Sequence, residues 1–312
     1  MMSQPVPSFD QLQVMLAVVE AGSFSGAARR LNRAQSAITY AIQRLEEQLG
    51  TALFDRTSYR PTLTEAGRTL LPRARLIASE MHALVDHAQG IAAGLEPELT
   101  MIVDAMFPMC ALLKALRVFQ THFPTVPPRI FVETLGGASE MVLNGTCAIG
   151  LLMLFSSEFD ELQRQPLSEI TLIAVAAPSH PLAQIEGPVS RDELRRHVQL
   201  VLSDRSGLTG NRDYGVFSPQ TWRLADHGAK HAMLAAGLGW GNMPVHLVGN
   251  DLRDGRLREI KIQPEAGRVP PVVLPVCTAF HRDRPPGPAG RWLLEHLAQM
   301  METNPDAARS VA

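Results

Sequence analysis

The hydrophobic pattern of this chain changes once, at residues 94–97, and the change limits what the chain can fold into. Before it, apolar residues recur every three or four positions, the period of amphipathic helices. Beyond it, short apolar runs alternate with helical stretches, as in parallel sheets covered by helices. The sequence therefore predicts an all-α head and an α/β body, and its 312 residues suffice for two or three domains.

Three short helices and a hairpin are predicted in the head. Apolar stripes with helical spacing run over residues 9–19, 25–31 and 35–49, and the last stops at Gly50, a residue suited to a helix C-terminus. Residues 53–64 place a polar, turn-prone segment between two short apolar stretches, which indicates a hairpin, or wing. We therefore expect a winged helix-turn-helix over residues 1–62.

The head is basic although the whole chain has a net charge of −2. Residues 23–75 contain nine arginines, no lysine and four acidic residues, a local excess of five positive charges. Arginine forms bidentate contacts with phosphate and with guanine. A solvated basic face would have the same composition, so charge alone leaves both interpretations open.

A long helix is predicted over residues 63–93. Thr62 and Glu65 have the spacing of a capping box, and Thr64 is the alternative cap. Beyond them, apolar residues follow in alternating steps of four and three, the heptad seam of paired helices. The members of this seam are Leu70, Ala74, Ile77, Met81, Leu84, Ala88 and Ile91. The polar opposite face favours a dimer along this helix over packing within its own domain.

Five motifs resemble one known family. In order, they are AARRL at 27–31, QSAIT at 35–39, RLEEQLG at 44–50, LFDR at 53–56 and LTEAG at 63–67. This series resembles the LysR-type transcriptional regulators, and looser similarity continues through APSHPL at 177–182 and AAGLGW at 235–240.

The resemblance implies a domain organisation for the whole chain. The winged head is followed by a dimerisation helix, and residues 94–312 form a two-lobed effector-binding domain of the periplasmic-binding-protein-like type 2 fold. Lobe I takes residues 96–166 and 269–302, and lobe II takes residues 167–268.

The candidate DNA contacts lie on the predicted helix over 35–49. The second helix of such a motif enters the major groove with its N-terminal residues at the base edges. Its polar, outward positions are Gln35, Ser36, Thr39, Tyr40 and Gln43, and we add Arg33 just before it. By resemblance, Gln35, Ser36 and Thr39 match positions that contact bases or phosphates, and Arg56 matches a backbone or minor-groove contact.

Two residues depart from the family pattern. Tyr40 stands where many members carry a basic residue, and Ala34 replaces the hydroxyl that often caps this helix. For Tyr40 and Gln43, plain exposure to solvent is the alternative interpretation.

The candidate effector contacts follow predicted strands, because ligands of open α/β sheets bind beyond the carboxyl ends of strands. The amide of Gly137 and the hydroxyl of Ser139 follow a strand and open a helix, which suits a carboxylate; a simple N-cap at Ser139 is the alternative. An apolar wall, or else core packing, is predicted for Met106, Phe107 and Trp222. Ser203 and His227 complete the set, and we expect a small anionic organic effector.

No metal or other cofactor is predicted. His227 and His231 are spaced four apart, but the sequence offers no third ligand beside them. A nucleophile elbow, a Walker loop, a Rossmann fingerprint and a zinc-protease motif are all missing from the sequence, so we do not expect an enzyme. A solute-binding or effector-sensing protein without a role in transcription is the alternative; it would leave the basic head unexplained.

The predicted partners follow from the regulator interpretation. They are double-stranded promoter DNA, a small-molecule effector and further copies of the chain in a homodimer and homotetramer, with RNA polymerase as another candidate. Residues 1–10 lack an export signal and no apolar run is long enough for a bilayer, so we expect a cytoplasmic protein without a membrane partner. The sequence does not identify the effector, the target genes or the sign of regulation.

Overall fold

A computed structural model of the chain describes residues 6–57, 61–154, 159–208, 214–264 and 271–303. The chain divides into two compact units, Met1–Gln89 and Gly90–Ala312. The tip of the predicted wing, residues 58–60, lies outside the described residues. None of the helices in the described ranges combines the length and the hydropathy needed to cross a bilayer.

The first unit begins with three helices, as predicted. They are α1 (Phe9–Ala21), α2 (Phe24–Arg30) and α3 (Gln35–Leu49). The sequence places Ser25 where an N-cap would open this helix, but α2 is capped by Ser23, whose Oγ accepts the Gly26 amide at 3.0 Å. Helix α3 ends at Gly50, whose φ of 67° lies in the left-handed region that glycine adopts without strain.

A short antiparallel pair and a long helix complete this unit. The pair is β1 (Phe54–Asp55) with β2 (Thr62–Leu63), and α4 spans Glu65–Ala92. Thr64 caps α4, because its Oγ1 accepts the Gly67 amide at 2.9 Å. Thr64 is thus the cap, in place of Thr62 of the predicted capping box.

The predicted heptad seam of α4 divides into two parts. Ala74 is buried in the core of the first unit and Leu70 packs against that core, so these two members face their own domain. Further along the helix, large apolar side chains are exposed in this chain; they are Leu76, Ile77, Met81, Leu84, Val85 and Ile91. Packing on its own domain therefore applies to the first part of the helix, and pairing of the later part with a second helix stays a prediction.

The second unit contains a nine-stranded sheet with helices packed against it. Its strands are β3 (Leu99–Asp104), β4 (Pro128–Glu133), β5 (Ile149–Met153), β6 (Leu162–Ala176), β7 (Gln199–Leu202), β8 (Thr221–Leu224), β9 (Trp240–Pro244), β10 (Arg258–Glu259) and β11 (Val272–His281). Their order is β4-β3-β5-β11-β6-β9-β7-β8, and β10 pairs with β6. The helices are α5 (Met109–His122), α6 (Gly136–Leu143), α7 (Arg191–Leu194), α8 (His227–Ala235), α9 (Val245–Arg253) and α10 (Pro288–Thr303), with a 3₁₀ turn at Pro181–Gln184.

Two antiparallel strands connect two lobes within this sheet. Strands β3, β4 and β5 are parallel and form lobe I, whereas β7, β8 and β9 are parallel and form lobe II. Strand β11 pairs with β5 and with β6, and the end of β6 pairs with β9. The crossing strands therefore hold both lobes on one sheet. The proposed limits of the domains and lobes stay predictions.

Several elements differ from the sequence-based expectation. Strand β6 begins at Leu162 instead of Ile170, because its polar first half pairs with β11. The segment 242–244, expected as a loop, belongs to β9, which pairs with β6. Helix α6 begins at Gly136, so Ser139 lies inside the helix and is not its N-cap.

Candidate nucleic-acid interface and ligand cavity

Helix α3 has one buried and one exposed face. Its apolar stripe of Ile38, Ile42 and Leu45 is buried in the core of the first unit. On the remaining surface, Gln35, Ser36, Tyr40 and Gln43 are exposed, and Thr39 is partly buried. This division leaves a row of polar side chains that can reach a partner without disturbing the core.

The N-terminus of α3 lacks a side-chain cap, as predicted from Ala34. The first amides of a helix carry partial positive charge and attract phosphate. The Thr39 hydroxyl donates to the Gln35 carbonyl at 3.0 Å, which fixes its rotamer and leaves its oxygen able to accept. This end of the helix can therefore bind an anionic backbone and present side chains beside it.

The two arginines predicted as DNA contacts are paired with carboxylates. Arg33 lies 2.7 Å from Asp10, and a hydrogen bond from its guanidinium lowers the pKa of that carboxyl. Arg56 lies 2.9 Å from Glu46 and stacks over the Phe24 ring at 5.2 Å. The exposed pair of Arg33 with Asp10 contributes only about 0–1 kcal/mol, so a phosphate can replace Asp10; Glu46 is less exposed and stays in place while Arg56 can exchange it for phosphate.

Glu46 connects α3 to the base of the wing. Its Oε1 accepts the amides of Leu53 and Phe54 at 2.7 and 3.0 Å, while its Oε2 pairs with Arg56. The carboxylate thereby fixes the position of β1 relative to the exposed face of α3. The sequence alone does not indicate this role, because Glu46 looks like any other charged residue on the polar face of a helix.

A cavity of about 460 Å³ lies between the two lobes of the second unit. This volume falls in the range of about 300–1,000 Å³ that is usual for small-molecule sites. Both lobes and β11 contribute to its wall. The apolar part of the described lining is formed by Met106, Leu135, Leu172, Leu200, Val201, Leu202, Phe217, Ile262, Pro271, Val272, Val273 and Leu274.

The polar part of the lining is cationic or neutral. It consists of Arg191, Gln199, Tyr214, His227, Lys230, Asn242 and Gln263, with Gly215 between them, and the described lining includes no acidic side chain. Gln199 is structural, since its Oε1 accepts the amides of Phe217 and Ser218 at 2.7 and 3.0 Å. Lys230 is buried and donates from Nζ to the Asn242 carbonyl at 2.7 Å.

Two ionisable groups on α8, Lys230 and His227, have altered pKa values. Burial lowers the pKa of Lys230 to about 8, which still leaves most of this amine charged near neutral pH. Burial, with Lys230 nearby, lowers the pKa of His227 to about 4, so this imidazole is neutral under the same conditions. The cavity therefore contains a buried cation next to a neutral ring.

Of the predicted effector contacts, the structure brings Met106 and His227 together in this cavity. Phe107 is instead buried in the core of lobe I. Trp222 is exposed on β8 at the edge of the sheet. The Ser203 hydroxyl donates to the Leu224 carbonyl at 3.3 Å, and Ser203 is not in the described lining.

The glycine-rich turn before Ser139 differs from the expected anion site. The Gly137 amide donates to Asp204 Oδ1 at 3.2 Å. This amide was expected to be free for a ligand, but it is already hydrogen-bonded to a carboxylate of the protein itself. Ser139 lines a separate cavity of about 20 Å³. Lys230 also lies in the main cavity, although it was not among the predicted contacts. The residues around it in the sequence do not indicate that it is buried.

Two family models match the chain. The one described as "Bacterial regulatory helix-turn-helix protein, lysR family" matches residues 9–68, and "LysR substrate binding domain" matches residues 92–302. The probable HTH-type transcriptional regulator YhaJ of Escherichia coli is 30% identical over 301 residues, covering 94% of this chain and 96% of the relative.

Further similarities agree with these matches. The HTH-type transcriptional regulator AceR of Acinetobacter baumannii is 28% identical, covering 92% of this chain and 95% of the relative. The structure of an OxyR mutant from Corynebacterium glutamicum has a TM-score of 0.54 at 20% identity, covering 98% of this chain and 96% of that one. This last likeness shows a shared fold.

Proposed function

The chain belongs to the LysR family of bacterial transcriptional regulators, and we propose that it binds promoter DNA through α3 and the wing under the control of a small effector. It is a regulator and not an enzyme. The division of α3 into a buried apolar stripe and an exposed polar face carries the DNA assignment. Such a regulator acts on chromosomal DNA, so we place it in the cytoplasm.

The proposed contacts with DNA fall into two groups. Gln35, Ser36, Thr39, Tyr40 and Gln43 face the bases or the adjoining phosphates from α3, in the major groove. Arg33 and Arg56 flank them and contact the phosphate backbone, exchanging their carboxylate partners for phosphate oxygens. The uncapped start of α3 adds a further phosphate contact.

The exposed apolar part of α4 supports assembly. Contiguous exposed apolar surface marks interaction sites, and Ile77, Met81 and Leu84 form such a surface along one stretch of helix. We propose that two copies pair along it, and that dimers pair again into tetramers. RNA polymerase is the partner on which a promoter-bound activator would act.

The effector binds, in this proposal, in the cavity between the lobes. Met106 contacts it from lobe I and His227 from lobe II, so the bound molecule favours one separation of the lobes. A ligand shifts DNA binding only as far as it prefers one arrangement over another. We propose that the two arrangements differ in how far the lobes are closed.

Footprinting on the DNA upstream of the chain's own gene tests the DNA assignment. The parent should protect a defined site, whereas Gln35→Ala and Thr39→Ala should each lose about 1–3 kcal/mol of discrimination between this site and a scrambled one. Arg56→Ala should weaken binding to both sequences alike and reduce the salt dependence. Gln120→Ala, an exposed glutamine on α5, is the matched control.

Two results would contradict the proposal. If all three head variants bind like the parent, α3 and the wing do not read the DNA. If the folded parent binds no DNA above its non-specific level, the alternative of an effector-sensing protein without a direct role in transcription gains support.

A further inference from the structure

Lys230 has a rare position for a lysine. The chain has three lysines, and Lys114 and Lys261 are exposed on the surface. Lys230 is 4% exposed and lines the cavity from the second turn of α8. Among the described residues its ammonium has one hydrogen-bond acceptor, the Asn242 carbonyl, and no carboxylate partner. An ammonium has three protons to donate, so its remaining donors face the cavity without an acceptor.

His227 shows the same lack of partners one turn earlier on the helix. It is 8% exposed, and neither of its ring nitrogens has a hydrogen-bond partner among the described residues. Residues three apart on a helix share a face, and His227 is the first residue of α8, next to the N-cap Asp226, whose carboxylate accepts the Ala229 amide at 2.6 Å. Buried polar groups are normally hydrogen-bonded, so two such groups on one face of one cavity indicate a missing ligand.

We propose that Lys230 and His227 form an anion-binding end of the cavity and that the effector is a small organic monocarboxylate with an apolar body. This inference rests on the proposed function of the cavity as the effector site. The carboxylate accepts from Nζ of Lys230 and from one ring nitrogen of His227. The apolar part of the lining, which includes Leu135, Leu172 and Leu274, contacts the body.

The charges in the cavity favour one negative charge on the ligand. Lys230 is the buried cation, and His227 is neutral at pH 7. Arg191, the second cation of the lining, keeps its charge over the Phe217 ring at 5.2 Å but is only partly buried, so solvent screens it more than it screens Lys230. A phosphate dianion would bring two charges to one buried ammonium, whereas a carboxylate is balanced by it.

The experiment compares carboxylates with neutral molecules of the same shape. Calorimetry on the full-length parent at pH 7 uses benzoate, phenylacetate and 4-methylvalerate as probes, each beside its primary amide. The carboxylates should bind at least about tenfold more tightly than the amides, because only they balance the buried charge. Lys230→Met should abolish this preference, His227→Gln should weaken it, and the exposed Lys261→Met should retain it.

A measurement on the parent alone guards against misfolding of the Lys230 variant. With ¹³C-labelled lysine the chain gives three side-chain signals, and benzoate should shift that of Lys230 while Lys114 and Lys261 stay unchanged. Amides that bind as tightly as carboxylates, a probe set without any binding, or an unchanged Lys230 signal would each overturn the proposal. Retention of the carboxylate preference in folded Lys230→Met would do the same.

Footprinting of the parent separates this inference from the proposed function. A parent that protects its promoter site but shows no preference for carboxylates retains the DNA function and loses the anion site. A parent that binds carboxylates through Lys230 but does not bind DNA shows the opposite result.

Discussion

Four arginines of the first unit form ion pairs with carboxylates of the same unit. Besides the pairs of Arg33 and Arg56, Arg30 lies 2.7 Å from Glu20 and Arg44 lies 2.7 Å from Glu47. Each pair restrains a guanidinium at little energetic cost. The net effect on DNA affinity is a competition between carboxylate and phosphate for the same cation.

Removal of one carboxylate should therefore strengthen DNA binding. Asp10→Asn releases Arg33, and we expect affinity for DNA of any sequence to rise roughly threefold, with a steeper dependence on salt. Fluorescence anisotropy over a series of salt concentrations measures both quantities. Glu80→Gln, an exposed change on α4, controls for the altered net charge. An unchanged salt slope in Asp10→Asn would show that Arg33 does not contact phosphate.

A second prediction concerns Asp104, at the end of β3. Its two oxygens accept the amides of Met106 and Leu135 at 2.8 and 3.1 Å, but burial dominates and raises its pKa to about 7. The folded chain thus binds this proton more tightly than the unfolded chain, whose carboxyl titrates near the usual 3.8. The free energy of unfolding should fall as the pH rises from about 4 to about 7, by at most about 4 kcal/mol.

Urea denaturation of the parent and of Asp104→Asn across this pH range checks the sign. The asparagine does not titrate, so the stability of the parent relative to the variant should fall with rising pH and become constant above about pH 7. A difference that is independent of pH would mean that Asp104 keeps its ordinary pKa in the folded chain.

At the scale of elements, α4 serves two roles along its length. Its first part completes the core of the first unit, and its later part leaves large apolar side chains exposed. Met81→Glu with Leu84→Glu would place charges in the proposed helix pair, which apolar packing stabilises. We expect the double variant to be monomeric by light scattering and to lose at least about tenfold in DNA affinity, since two heads no longer bind together.

Ser79→Glu is the matched control, because Ser79 is exposed on the opposite side of α4. It adds one negative charge to the same helix, against two in the double variant, and should remain dimeric. A double variant that stays dimeric would move the assembly surface away from α4.

The elements also show what the sequence can predict. Helix α3 was predicted with its observed limits, because periodic apolar residues and a C-terminal glycine determine them locally. Strand β9 and helix α9 were missed. The strand reads Trp-Gly-Asn-Met-Pro, without alternation or β-branched residues, and exists through its pairing with β6.

The two candidate sites also differ in how far the sequence predicts them. The DNA contacts could be proposed from one helix, since its buried and exposed faces follow from its own period. The cavity depends on residues far apart in sequence, such as Met106, Lys230 and Leu274. Nothing near Lys230 in the sequence shows that it is buried, and nothing near Gly137 shows that Asp204 will take its amide.

At the scale of the second unit, Asp204 joins the two lobes. It follows β7 in lobe II, accepts the Gly137 amide from lobe I, and is itself held by the Ser206 amide and hydroxyl at 2.9 and 2.7 Å. A side chain at Gly136 would come within 2.4 Å of Asp204 and Ser206. The close approach of the lobes at this point thus requires both the glycine and the carboxylate.

Loss of this contact should loosen the lobes without unfolding them. In Asp204→Ala, the amides at the start of α6 should exchange hydrogen faster than in the parent, and Gly136→Ala should have the same effect through steric repulsion. Hydrogen exchange with mass spectrometry, with the exposed Asp283→Ala as control, measures the change. Equal protection in all four proteins would show that the lobes do not depend on this contact.

The aromatic packing beside the cavity gives the molecule an optical property. Trp240 is fully buried on β9, and the ring of Phe217, which lines the cavity, lies 6.2 Å from it. Trp222 is exposed, and Trp292 stacks between His122 and His296 at 4.7 Å from each. The three indoles therefore sit in different surroundings, and a molecule that displaces Phe217 should alter the emission of Trp240 selectively. The unlabelled chain would then report occupancy of its own cavity as a change in fluorescence.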